Sequence, residues 1–170
     1  MKKLFKVALV AVSILFVGNF AKAQSKIGYI NFDALVGQMP EAKTIKSQLD
    51  IYQKQFVDQL TVMNTELQTK GKEFQSQSAT MTDAIRTAKQ TELQDIQKRM
   101  QDYENNAQQQ VEAKTNELSK PLVDKVRAAV TEVAKEKGYN YVFNTAQVQL
   151  IVSPDGDDLM APVKVKLGIK

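Results

Sequence analysis

Between about residues 41 and 137, apolar side chains recur at steps of three and four along a polar chain almost free of helix breakers. The first run is Ile45, Leu49, Tyr52, Phe56, Leu60, Met63, Leu67 and Phe74. The second is Ile85, Ala88, Leu93, Ile96, Met100, Tyr103, Ala107, Val111, Leu118, Leu122 and Val126. That spacing predicts one apolar stripe along each of two long helices. The pattern lapses over residues 75–82, where Ser76, Ser78, Thr80 and Thr82 favour a turn and a new helix cap. The expectation is an antiparallel helical hairpin with its tip at 78–82, a first helix over 41–77 and a second starting at Thr82 or Asp83. Leu49, Leu60 and Gly71 stand eleven apart, which favours a straighter or slightly right-handed path. Pro121 interrupts the second helix, yet the pattern continues through Leu122, Val126, Ala129, Val130 and Val133. This predicts a kink near 119–121 within one helix. Gly138 follows Lys135 and Lys137 and ends it.

The flanks carry a different period. Residues 26–31 alternate as a strand, residues 32–39 are weakly helical with Asp33 as first cap, and Pro40 suits the first turn of the long helix. After the hairpin, residues 139–144 and 147–152 read as two further strands, and Ser153-Pro154-Asp155-Gly156 as a turn. The tail from 159 to 169 is ambiguous. Val163, Val165 and Leu167 alternate as in a strand, while Leu159, Val163 and Leu167 stand four apart as in a helix. The fold class is α+β, mostly α: a long helical hairpin on a small β-rich body. The body takes residues 24–40 and about 120–170, the hairpin about 41–119, in a single domain.

A two-helix hairpin presents a narrow stripe and encloses no core of its own. Ordering each residue costs about 1–2 kcal/mol, while each buried apolar side chain returns about 1.5–3 kcal/mol. That balance predicts a homo-oligomer joined at the strand-bearing base, through Ile27, Tyr29, Ile30, Tyr141, Val142, Phe143, Leu150 and Ile151.

Charge changes the picture once the first residues are set apart. Lys2, Lys3 and Lys6 precede an apolar run over 7–17, and Ala21-Lys22-Ala23 gives a small-x-small cleavage pattern. A membrane anchor is the alternative, but the run is about half of the roughly 20 residues a span needs. Residues 1–23 therefore read as a cleavable secretory signal. Four of the 23 basic residues lie in this segment, which has no acid, leaving 19 against 19 acidic ones. A formally neutral chain gives no footprint for nucleic acid.

The chain has no cysteine and no histidine. Disulfides, thiolate catalysis and the commonest general base and metal ligand are thereby excluded. No nucleophile motif or phosphate loop stands out, so the chain does not read as an enzyme and no cofactor is expected. Asp155, Asp157 and Asp158 lack the further ligands and distal glutamate of a calcium loop, and read as a turn and a helix cap.

Near the tip, Met63, Leu67, Phe74, Met81 and Ile85 are candidates for weak, adaptable binding of unfolded chains. The alternative is that they simply pack helix against helix. Lys70, Lys72, Arg86 and Lys89 make the tip slightly basic, which a solvated face explains equally well.

The opening Lys26-Ile27-Gly28-Tyr29-Ile30-Asn31 with Leu35-Val36 resembles the first strand and short helix of the Skp/OmpH family of periplasmic chaperones. The stretch from Val130 through Gly138 to Phe143 resembles that family's helix end and following strand, and Asp157-Asp158-Leu159-Met160 with Val163 and Leu167 its closing helix. The likeness spans nearly the whole chain after the signal. It implies a trimer with a small β-rich body and three helical tentacles around a cavity, and it implies a helical tail. Met160 stands where the family usually has a capping threonine, which leaves the cap to Asp157 or Asp158. The function implied is an ATP-independent periplasmic holdase for unfolded outer-membrane proteins. An extracytoplasmic coiled-coil spacer without clients is the alternative. Members of the family are often strongly basic and this chain is neutral, so contact with lipopolysaccharide or membrane stays open.

Overall fold

The computed structural model describes residues 25–169, and the signal reading of residues 1–23 lies outside them. The order is β1 (Ile27–Ile30), α1 (Phe32–Gln38), α2 (Pro40–Gln77), α3 (Asp83–Glu136), β2 (Tyr141–Asn144), a 3-10 turn (Asp155–Asp157) and α4 (Met160–Leu167). Strand β1 pairs in parallel with β2, Ile27 opposite Tyr141 and Ile30 opposite Asn144. Parallel neighbours need a long crossover. Here the crossover is α1, α2 and α3, so the hairpin is an excursion between two paired strands.

Asparagines tie the ends of both strands to the neighbouring backbone. Asn31 accepts from the Ala34 N–H at 2.9 Å and caps α1. Asp33, the expected cap, lies inside the first turn instead. The cap position needs the extended backbone that Asn31 has, and an acid one turn in still suits the helix dipole. Asn144 accepts from the Phe32 N–H at 3.1 Å and from Ala146 N–H at 3.0 Å, joining the end of β2 to the start of α1.

Pro40 sits at the start of α2, where no N–H is needed. α3 runs unbroken through the exposed Pro121. It ends at Gly138, whose φ of 73° is the left-handed conformation that glycine adopts freely; Tyr139 N–H then donates back to Ala134 O at 2.9 Å.

The core lies at the base. Ile30, Leu35, Met39, Leu122, Val126, Val133, Leu159 and Val163 form its centre, and α2 adds to it only the first turns, with Ala42 and Ile45 packed alongside. Further out, α2 has no fully buried residue, and of α3's buried residues only Ile96 and Ala107 precede Leu122. The hairpin is a seam rather than a core. Tyr52 and Phe56, one turn apart on α2, meet edge to face with ring centroids 5.1 Å apart, and Phe56 meets Tyr103 across the seam at 6.0 Å.

Gly71 lies in the interior of α2, and a Cβ built on it meets nothing within 4 Å. Gly71→Ala is therefore expected to raise stability by about 1 kcal/mol, from helix propensity alone. Denaturant titration of the two proteins checks this; a loss of stability would mean that this segment is not helical in solution.

Residues 147–152 do not form the expected third strand. β1 has two edges. One holds β2, and on the other Asp158 makes an isolated bridge to Tyr29, with Leu159 N–H donating to Tyr29 O at 2.9 Å. The strand-like pattern of 147–152 thus meets no free β1 edge within its own chain. The tail is a helix, α4, which buries Val163 completely. Asp158, one residue before the cap position Leu159, accepts from the Met160 N–H at 2.8 Å, while Leu159 itself makes no side-chain cap bond.

Lys166 fastens α4 to α3, with Glu132 at 2.8 Å and Glu136 at 2.9 Å. Hydrogen bonds to these two carboxylates, Glu132 first, push the lysine up to about 12. The same bond from Lys166 holds Glu132 below its ordinary value. The lysine's contribution is complete below its usual 10.5 and fades as pH rises through about 12. The glutamate's is complete above its usual 4.5 and fades as pH falls through the lowered value. Lys166→Met is expected to melt earlier than the wild type at neutral pH, with the gap closing in strong acid. Thermal melts showing an equal gap at both would refute the clamp.

Candidate functional site

Two surfaces stand out: the outer face of the sheet and the hairpin. In the parallel register Ile27 lies beside Tyr141 and Tyr29 beside Phe143, all on one face. The opposite face carries Ile30, buried, and Val142, packed against the core. The outer face is left open: Ile27 is 48 % exposed, Tyr141 61 % and Phe143 42 %. Beside it, Leu150 and Val152 line a groove with Ile27, Tyr29, Phe143 and Pro154. Ile151 is 96 % exposed. Of the eight base residues expected to join copies, Ile27, Tyr29, Tyr141, Phe143 and Leu150 therefore gather around one apolar face and Ile151 stands free beside it. Ile30 and Val142 do not belong there, because the two-residue period of a strand turns them inward.

Tyr139 holds this face in shape. Its hydroxyl bonds Asp157 Oδ1 at 3.0 Å and donates to Gly156 O at 3.1 Å. Burial, then the Asp157 carboxylate, push the phenol above its ordinary range. The Lys26 ammonium sits 4.0 Å from the ring centre. Gly28 is required beneath it: a Cβ there would stand 3.0 Å from the ring and 3.3 Å from Asp157 O.

Along the hairpin, Met63, Leu67, Phe74 and Met81 are half-buried and Ile85 is half-exposed. The first three lie on the side of α2 that meets α3. The charges are engaged as well. Lys70 and Lys89 both pair with Glu92, Arg99 with Glu66 at 3.8 Å, and Lys125 with Glu41 at 2.5 Å. Lys70 first, then Lys89, hold the Glu92 carboxyl below its usual value. Arg86 donates to Ser78 O at 3.3 Å and Met81 O at 3.2 Å and pairs with Asp83 at 3.1 Å. It is a staple across the tip turn, a role that its place among other basic residues does not disclose.

The family described as "Outer membrane protein (OmpH-like)" matches residues 26–167, from the first strand to the end of α4. The chain belongs to the OmpH-like family. It is 26 % identical to "Chaperone protein Skp" of Photorhabdus luminescens, over 96 % of this chain and 97 % of that one. A "Chaperone protein Skp" of Yersinia enterocolitica is 28 % identical over 73 % of this chain and 76 % of its own length. A solved structure, a putative outer membrane chaperone (OmpH-like) from Caulobacter crescentus CB15, superposes with a TM-score of 0.66 at 17 % identity, covering 85 % of each chain. That likeness shows the fold. The family and its chaperone-named members support a chaperone role.

Among the described residues, no group of three or more acidic side chains is placed to hold a metal, and no helix is long and apolar enough to cross a membrane.

Proposed function

We propose that this chain is an ATP-independent periplasmic holdase that shields unfolded outer-membrane proteins from aggregation. It acts as a homo-oligomer, with a trimer as the family resemblance implies. The outer sheet face joins the copies, and the hairpins extend from that base. The observation that carries this reading is the division of labour within one protomer. Nearly all of the core sits in the base, while the hairpin is a thin two-helix seam with apolar side chains still half-exposed. A hairpin so weakly enclosed has no core of its own. It does offer adaptable apolar surface at a distance from the body. Residues 147–152, which form no strand in the chain itself, put Leu150 and Val152 beside the outer sheet face, which fits the same reading.

One observation favours the spacer reading. The stripe through Met63, Leu67 and Phe74 is engaged between the helices, as a coiled-coil spacer requires. Light scattering during dilution of a urea-unfolded outer-membrane β-barrel decides between the two. The holdase suppresses scattering without ATP. Folded, oligomeric protein that leaves the scattering unchanged would establish the spacer.

A further inference from the structure

Residues 145–158 connect β2 to α4 and pass beside the outer sheet face on the way. Among the described residues, the backbone of this arm is hydrogen-bonded only towards its two ends. At the first, Thr145 N–H donates to Ile30 O at 3.0 Å, and the Gln147 and Val148 N–H groups donate to Asn144 O at 3.2 Å. At the second, Asp157 N–H donates to Pro154 O at 3.0 Å and Leu159 N–H to Tyr29 O at 2.9 Å. The stretch between, from 149 to 153, still puts Leu150 and Val152 in the groove with Ile27 and Phe143. A side chain from elsewhere in the fold grips the second end: Tyr139, just after α3. Its hydroxyl has a single hydrogen and two acceptors within reach, Asp157 Oδ1 at 3.0 Å and Gly156 O at 3.1 Å. Both acceptors lie in the turn that closes the arm. The ring is held without that hydrogen, since it is buried in the core and packs beneath Gly28. The turn Asp155–Asp157 has no buried residue of its own. The hydroxyl therefore fastens a surface segment to the body, a task separate from filling the core.

We infer that Tyr139 and Asp157 are a positioning pair: their bond sets the arm where Leu150 and Val152 complete the outer sheet face for a second copy of this chain. The inference rests on the reading that copies join through that face, and it assigns the residues that prepare the surface. The physical reason is preorganisation. A segment without backbone bonds loses conformational freedom when a partner orders it, and that loss is subtracted from the affinity. Fixing one end of the arm beforehand lessens the loss. The carboxylate makes the bond charge-assisted and so stronger than a bond between neutral groups. Burial, then the bond to Asp157, hold the phenol above its ordinary value, so it keeps its proton and donates through neutral pH.

The test measures self-association of the whole protein by sedimentation over a concentration series, with the helical spectrum as the check on folding. Tyr139→Phe keeps the ring and removes only the hydroxyl. It is expected to raise the dissociation constant about three- to tenfold at an unchanged spectrum. Asp157→Ala leaves Gly156 O as acceptor and should lose less, while Asp157→Asn keeps an acceptor and should stay near wild type. Tyr139→Phe/Asp157→Ala should associate no more weakly than Tyr139→Phe alone, because the bond is already gone. Losses that add in the double variant overturn the pair. Should Tyr139→Phe misfold, the two Asp157 variants decide: a loss with alanine that asparagine restores supports the inference, and wild-type association with alanine overturns it. Tyr141→Lys/Phe143→Lys separates this inference from the reading beneath it. If that variant dissociates the copies and Tyr139→Phe does not weaken them, the positioning role falls and the outer face stands as the interface. If neither changes association, both fall.

Discussion

Val126→Asp is expected to unfold the base of this protein. Val126 is fully buried, at the point where α3 enters the body core beside Leu122, Val130 and Val133. A carboxylate there has no partner and no water. An unpaired charge buried in this way belongs to the most damaging class of substitution, costing at least about 4 kcal/mol. Set against a typical total of about 5–15 kcal/mol, that removes most of the stability of a small domain. The effect also discriminates between regions. Leu35→Ala, at another fully buried core site, should cost about 2–5 kcal/mol. Leu60→Ala in the half-buried seam should cost clearly less, because water already reaches part of that side chain. Denaturant unfolding followed by circular dichroism measures all three. Equal losses for Leu35→Ala and Leu60→Ala would show that the hairpin, not the base, carries the folding energy.

Tyr141→Lys/Phe143→Lys is expected to turn the oligomer into folded protomers. Both side chains are substantially exposed in the single chain, so the change costs the protomer's own fold little. In an assembly joined through the outer sheet face they would be central anchors. Truncating or charging such anchors weakens association by about 2–4 kcal/mol, roughly 30- to 1,000-fold in dissociation constant. Light scattering of mass, together with an unchanged helical spectrum, reads the result. An intact oligomer would place the interface elsewhere, and residues 147–152 would be the next segment to charge. Paired with the aggregation assay, the variant also asks whether a lone hairpin shields a client or only an assembled set does so.

The helices are legible in the sequence for a plain reason. Period and punctuation agree: apolar steps of three and four, Pro40 at the start of α2, Thr82 before α3 and Gly138 after it all act within one turn of chain. The cap of α1 lies two residues before the one the sequence favours, because Asn31 and Asp33 are chemically similar and only the backbone conformation separates them. The tip is legible, but the job of Arg86 is not, since carbonyls eight and five residues behind it converge only once the turn has formed.

Local chemistry along the chain thus determined the two long helices, their turn, the strands β1 and β2 and the absence of cysteine and histidine chemistry. It also carried a resemblance that the OmpH-like match over residues 26–167 bears out. Tertiary structure decided what depends on partners far apart in sequence. It set β1 against β2 in parallel across the whole length of the hairpin and gave β1's other edge to Asp158, which leaves residues 147–152 no place on β1. It chose helix over strand for the tail: Leu159, Val163 and Leu167 turn to the base while Val165 is left 80 % exposed, which a two-residue period would not allow. Alternating side chains say that a segment can be a strand. Only the tertiary pairing says whether it becomes one.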